Sequence, residues 1–145
     1  MPFIFIVGLP GSGKTTFLNQ LKNEYENAVI LDDTLGPANI GNLKKMGAEN
    51  MVIISHPRLT NFKLFKTYAN ILKDIEKVYV FESNTDACVI NVRRRCGEDK
   101  EQICHLLEID IHNFSKSYNP ENYIHNSDSF PKTTVWDYVL LPVYQ

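Results

Sequence analysis

The chain has no excess of charge of either sign. Lys and Arg number 15 against 17 Asp and Glu, a formal net charge of −2 over 145 residues. That leaves no global electrostatic case for nucleic acid as a partner. No stretch approaches the roughly 18 consecutive apolar residues of a transmembrane helix. No basic leader or cleavage-site pattern precedes the first apolar segment. A soluble, intracellular, cytoplasmic protein with no membrane partner is expected. Cysteine is scarce. Cys88, Cys96 and Cys104 fall at an even spacing that matches no zinc-ligand pattern, even with His105 beside Cys104. Reduced thiols are the expected state. Repeats, linkers and low-complexity segments are all missing. Hydrophobic residues at 43% and charged residues at 22% are ordinary for a globular chain. The length points to one domain over residues 1–145.

What is present concentrates in one stretch, Gly8-Leu9-Pro10-Gly11-Ser12-Gly13-Lys14-Thr15, followed by Thr16. It matches the phosphate-cradling pattern G-x-x-x-x-G-K-[ST]. Its glycines allow a tight turn with positive φ, so that successive N–H groups point inward at an anion. The helix that follows adds the positive end of its dipole. Lys14 supplies a point charge for the β- and γ-phosphates, and the Thr15 hydroxyl is a ligand for Mg²⁺. With no nucleotide bound, the Lys14 ammonium is expected in solvent. Context supports the motif. Phe3-Ile4-Phe5-Ile6-Val7 reads as a buried parallel strand just before it. Phe17, Leu18, Leu21 and Tyr25 follow at helical spacing just after it.

Further strands are expected at Ala28–Leu31, Met51–Ile54 and Val78–Phe81, with a weaker fifth at Tyr123-Ile124-His125. Helices are expected over 61–76, from Thr85 to about Arg95, over 101–114, and after Pro131, where Val135, Tyr138, Val139 and Leu140 recur. A short helical piece can form at Leu43–Met46, and Gly97-Glu98-Asp99-Lys100 reads as a charged turn. Strands alternating with helices argue for a parallel sheet covered on both faces. Ligands of such sheets sit outside the carboxyl ends of the strands.

That rule selects the residues at strand ends. Asp32 and Asp33 end the second strand. There a carboxylate can accept a hydroxyl proton beside a γ-phosphate, or can cap a turn. Ser55 and His56 end the third strand, Ser55 with a water-mediated role open to it; both can equally hydrogen-bond the neighbouring turns. Glu82 ends the fourth, as a metal-shell residue or a surface residue. Arg93-Arg94-Arg95 is the densest positive cluster. Guanidinium groups suit the charge of a transferring phosphoryl group. Three consecutive helical positions cannot share one face, so one or two of them reach the nucleotide. The guanine signature Asn-Lys-x-Asp is missing, as is an Asp-x-x-Gly after the third strand.

These blocks resemble the P-loop kinase superfamily, and within it the polynucleotide-kinase-like branch encoded by phages and viruses. The loop from Gly8 to Thr16 is similar to that family's phosphate loop. Val29-Ile30-Leu31-Asp32-Asp33 is similar to its second strand, and the match places the general base on Asp32. Met51–Ser55 is similar to its third strand, and Cys88–Arg95 to its lid helix, which puts the lid arginine on Arg95. The likeness spans residues 3–95. The resemblance implies a three-layer α/β P-loop NTPase fold with a five-stranded parallel sheet in the order 2-3-1-4-5 and a short lid. It implies ATP and Mg²⁺ as cofactors, and Lys14, Asp32 and Arg95 as catalytic residues. Gly8, Pro10, Gly11, Ser12, Gly13, Lys14, Thr15, Thr16, Arg93 and Arg94 are expected around the nucleotide, with Thr15 on the metal.

The departures point to the acceptor. Leu31 stands where the family has an arginine, and Thr34 and Leu35 where it has a basic residue on the acceptor phosphate. His56 stands where it has an aspartate. The tail Tyr123–Ser127 instead resembles the last strand and adenine-side loop of small-molecule kinases. The expected activity is therefore transfer of the γ-phosphoryl group of ATP to a nucleoside, nucleotide or similar small molecule. A 5′-hydroxyl polynucleotide kinase is the near alternative. An ATP-binding switch or ATPase module is the alternative from another class.

Overall fold

The computed structural model describes residues 3–32, 40–72, 75–82, 84–96, 101–125 and 137–141. Their elements are β1 (Phe3–Val7), α1 (Lys14–Glu24), β2 (Val29–Asp32), α2 (Ile40–Glu49), β3 (Val52–Ser55), a 3-10 turn (Pro57–Thr60), α3 (Phe62–Leu72), β4 (Ile75–Phe81), α4 (Thr85–Arg95), α5 (Glu101–Ser115), α6 (Glu121–His125) and β5 (Asp137–Leu141). The strands form a parallel sheet in the order β2-β3-β1-β4-β5. The expected turn at 97–100, and Asp33, Thr34 and Leu35, lie outside the described residues.

β1 is apolar on both faces and fully buried, so it belongs in the middle of a sheet covered on both sides. Ile4 and Ile6 join Ile53, Tyr79 and Phe81 on one face, where Leu18 and Leu21 of α1 cover them. Phe17 of α1 stands edge-on to Tyr79 and Phe81, with ring centroids 4.7 and 5.8 Å away. Phe3, Phe5 and Val7 turn to the opposite face. There Leu43 of α2, Phe65 and Tyr68 of α3, Val92 of α4 and Ile111 of α5 build the larger half of the core.

β1, β2 and β3 lie within a residue of their expected places. α2 is longer than expected, and α3 is shorter. Ile75 fits the apolar stripe of α3 by spacing, yet the helix ends at Leu72 and Ile75 opens β4, paired with Phe3 of β1. Pairing with the central strand outweighs the last helical turn.

The fifth strand is not the expected one. Tyr123-Ile124-His125 lies in helix α6, and the strand is Asp137–Leu141, where a helix was expected. The start of α6 has a local cause. The Asn119 side chain accepts the Glu121 N–H at 3.1 Å with Pro120 between them, which is the chemistry of a helix start. Tyr123 is then buried edge-on to Phe62 and Phe65, with centroids 5.0 and 4.8 Å away, and its hydroxyl donates to the Leu59 carbonyl. The segment 137–141 pairs in parallel with β4, from Lys77↔Asp137 to Phe81↔Leu141. A short run such as Tyr138-Val139-Leu140-Leu141 fits either period, and the available edge of β4 decides between them.

Candidate functional site

The phosphate loop connects β1 to α1. Gly11 and Gly13 take φ of 80° and 94°, a region that favours glycine. A Cβ on Gly11 would also stand 2.5 Å from the Cys88 carbonyl oxygen, and one on Gly8 would stand 2.7 Å from Ser12 Oγ. The turn closes with the Ser12 N–H on the Leu9 carbonyl at 3.1 Å. Gly13 caps α1 without a side chain to accept from its first N–H groups, which leaves them for an anion. Ser12 is only 1% exposed, and its Oγ has no hydrogen-bond partner among the described residues. A cradle of inward amides around an orphaned hydroxyl fits a phosphate group.

Lys14 corrects one expectation. Its side chain is not in solvent: the residue is 8% exposed, and Nζ donates to the carbonyls of Gly8 at 2.8 Å and Leu9 at 3.3 Å. A charge in so little water needs strong acceptors. The loop supplies them from its own backbone.

α4 holds the loop from the side. Asn84 caps α4 by accepting the Ala87 N–H at 3.1 Å, and Asn91 Nδ2 donates to the Gly11 carbonyl at 2.9 Å. Arg95 lies one helical turn beyond Asn91, on the same face, and it lines the cleft above the loop. The neighbouring arginines do not. Arg93 Nε pairs with Glu108 of α5, and Arg94 is exposed away from the cleft lining.

The cysteines differ from expectation as well. Cys96 and Cys104 form a disulfide with Cα atoms 6.2 Å apart, joining the end of α4 to α5. Cys88 is free and buried. Burial pushes its thiol up to about 11, with the Lys14 charge acting in the opposite direction. Tyr118, after α5, donates its buried hydroxyl to the carbonyls of Phe81 and Val7 and so ties the chain to the ends of β4 and β1.

Loop, strand ends and helices enclose a cleft of about 370 Å³. Pro10, Gly11, Gly13, Lys14 and Thr15 form one end. Asp32, half-buried at the end of β2, and Arg95 stand on its walls. The far end is built by His56, Pro57 and Arg58 and by Leu107, Asp110 and Phe114 of α5. Sequence reasoning missed Asn91, Arg58 and the α5 residues. Only the helical spacing of the α5 residues could have signalled them, and that spacing has many other causes. Glu82 and Thr16 are exposed and do not line the cleft. His56 caps the 3-10 turn, with Nδ1 accepting the Arg58 N–H at 3.0 Å, the turn bonding expected of it. Ser55 is 1% exposed and bonds to no neighbouring turn among the described residues.

Ser55 sits in register between Ile6 and Asp32 at the carboxyl ends of the strands. Among the described residues no cluster of three or more His, Cys, Asp or Glu is placed to hold a metal. Mg²⁺ carried on phosphates keeps most of its waters and needs only one or two protein oxygens. The Thr15 hydroxyl and the orphaned Ser55 Oγ fit that requirement.

Known structures define the class of fold. The chain is similar to deoxyadenosine kinase from M. mycoides with bound dATP, at a TM-score of 0.52 and 15% identity, over 99% of this chain and 91% of that one. The likeness is one of fold: helices around a parallel sheet. No family model matches the chain. It is 32% identical over 126 residues to an uncharacterized protein of Acanthamoeba polyphaga mimivirus, covering 83% of this chain and 88% of that one. The chain belongs to the family of that viral protein. Among the described residues, no helix is long and apolar enough to cross a membrane.

Proposed function

We propose that the chain is an ATP-dependent phosphotransferase that moves the γ-phosphoryl group to a hydroxyl of a nucleoside or similar small acceptor. One observation carries this reading. The phosphate loop, a half-buried carboxylate at a strand end and an arginine on the opposite wall all line one cleft. The loop amides and Lys14 bind and orient the triphosphate. Thr15, with Ser55 nearby, would hold Mg²⁺, which when bound would neutralise charge on the β- and γ-oxygens. Asp32 takes the proton of the acceptor hydroxyl while that oxygen bonds to the γ-phosphorus and the bond to the β–γ bridging oxygen breaks. ADP carries away the electron pair. Arg95 stabilises the charge that builds on the bridge and the equatorial oxygens. The fold of the M. mycoides kinase supports the same reading at the level of architecture.

The test is labelled ATP with Mg²⁺ and a pool of nucleosides, nucleoside monophosphates, sugars and a 5′-hydroxyl oligonucleotide, with products resolved by mass. A labelled nucleoside or sugar is the expected product. Label on the oligonucleotide would replace this reading with a polynucleotide kinase, and ADP release without an acceptor would replace it with an ATPase.

A further inference from the structure

We infer that the cleft face of α5 is the acceptor wall, and that it takes an uncharged nucleoside rather than a nucleotide. The inference rests on the phosphotransferase reading and specifies its second substrate. Leu107, Asp110 and Phe114 line the cleft together, at the three- and four-residue steps that share one helix face. Leu107 and Phe114 also pack against the main core, so the wall is rigid. Across from them, the 3-10 turn is held by the bond to His56 Nδ1 and by Thr60 Oγ1 donating to the Pro57 carbonyl at 2.7 Å. That turn presents Arg58 to the same space. An aromatic ring, a carboxylate and a guanidinium therefore line the same cleft as the loop. A flat heterocycle stacks on the ring. Sugar hydroxyls donate to the carboxylate.

Charge separates nucleoside from nucleotide. Among the described residues, the charged side chains on the cleft are Lys14, Arg58 and Arg95 against Asp32 and Asp110. With Lys14 and Arg95 engaged by the triphosphate, one guanidinium faces two carboxylates at the acceptor end. A phosphomonoester of charge about −2 would sit beside those carboxylates at a cost. A neutral sugar would not.

Calorimetry on the full chain tests this without turnover. Deoxyadenosine, cytidine, thymidine and their 5′-monophosphates are titrated in the presence of Mg²⁺ and a non-hydrolysable ATP analogue, into wild type, Phe114→Leu, Phe114→Ala and Asp110→Asn. The leucine variant keeps the apolar volume should the alanine variant fail to fold. At least one nucleoside should bind, and its monophosphate about tenfold more weakly. Loss of the ring should weaken the nucleoside about tenfold and leave the ATP analogue unaffected. Asp110→Asn should weaken the nucleoside and narrow the gap to the monophosphate. Tighter binding of monophosphates by wild type, or no nucleoside binding at all, overturns the inference. Nucleoside affinity unchanged in the leucine and asparagine variants also overturns it, even if phosphoryl transfer to nucleosides is observed. Nucleoside binding that obeys these expectations without any transfer would instead overturn the phosphotransferase reading and keep the wall.

Discussion

The two ends of the cleft are built on different principles. The donor end is made of consecutive residues, Pro10 to Thr15, and of backbone groups. The proposed acceptor end is made of side chains drawn from β2, the 3-10 turn and α5. A triphosphate is the same in every nucleotide, so a fixed set of amides can hold it, and those amides require glycines at set positions. An acceptor is read by its shape and charge, and any element facing the cleft can supply the reading groups. The donor end thus constrains sequence locally, while the acceptor end constrains only the fold.

Variants at the two ends should separate along the same line. The largest effect is expected at Asp32, where the ends meet. Asp32→Asn should lower kcat by about 10²–10⁴ with ATP affinity unchanged, measured by steady-state kinetics beside calorimetry. Near-wild-type turnover would move the base elsewhere, with Asp110 the next carboxylate on the cleft. Next comes Lys14→Ala, at about 10²–10³ in kcat. The rise in melting temperature with ATP should vanish. The unliganded variant should also melt lower, by about 1–3 kcal/mol of stability, because the Gly8 carbonyl loses the lysine donor and the Leu9 carbonyl keeps only the Ser12 N–H. An unliganded melting temperature equal to wild type would contradict the buried lysine.

Asn91→Ala sharpens the comparison further. It removes the clamp on the Gly11 carbonyl and should cost about 1 kcal/mol of stability. ATP should bind up to about tenfold more weakly, with acceptor KM unchanged. A shift in acceptor KM of equal size would show that the two ends are mechanically one. The smallest effect is expected at Arg93, whose pair with Glu108 is largely exposed. Arg93→Ala should cost at most about 1 kcal/mol and leave kcat in place, whereas Arg95→Ala should lower it. Equal losses in the two variants would put both arginines on the nucleotide.

What the sequence revealed follows the same division. The loop is legible because its chemistry is local, and β1, β2 and β3 are legible because buried parallel strands are short apolar runs ending at polar residues. From the residues alone the arginine cluster was legible as a cluster only, and the family resemblance pointed to Arg95. The choice of Arg95 over Arg93 depends on which face of α4 meets Gly11, and that is fixed by Asn91, some 80 positions away in sequence. Burial of Lys14 escapes the motif because its partners are carbonyls, which every residue has. The exchange of roles between Tyr123–His125 and Asp137–Leu141 turns on Pro120 behind the Asn119 cap and on the free edge of β4. The cap was readable in the sequence. The edge was not.

The place of β1 in the sheet also sets an order of events. It leaves the ribosome before both its neighbours: β3 begins at Val52 and β4 at Ile75. Until both emerge, a fully apolar segment waits without a partner, a state open to aggregation. The clamp from Asn91 arrives later still. The nucleotide cradle is thus made 80 positions before the residue that clamps it. ATP can stabilise only what is already built. In synthesis, as in refolding, it can secure the finished sheet but cannot help to nucleate it.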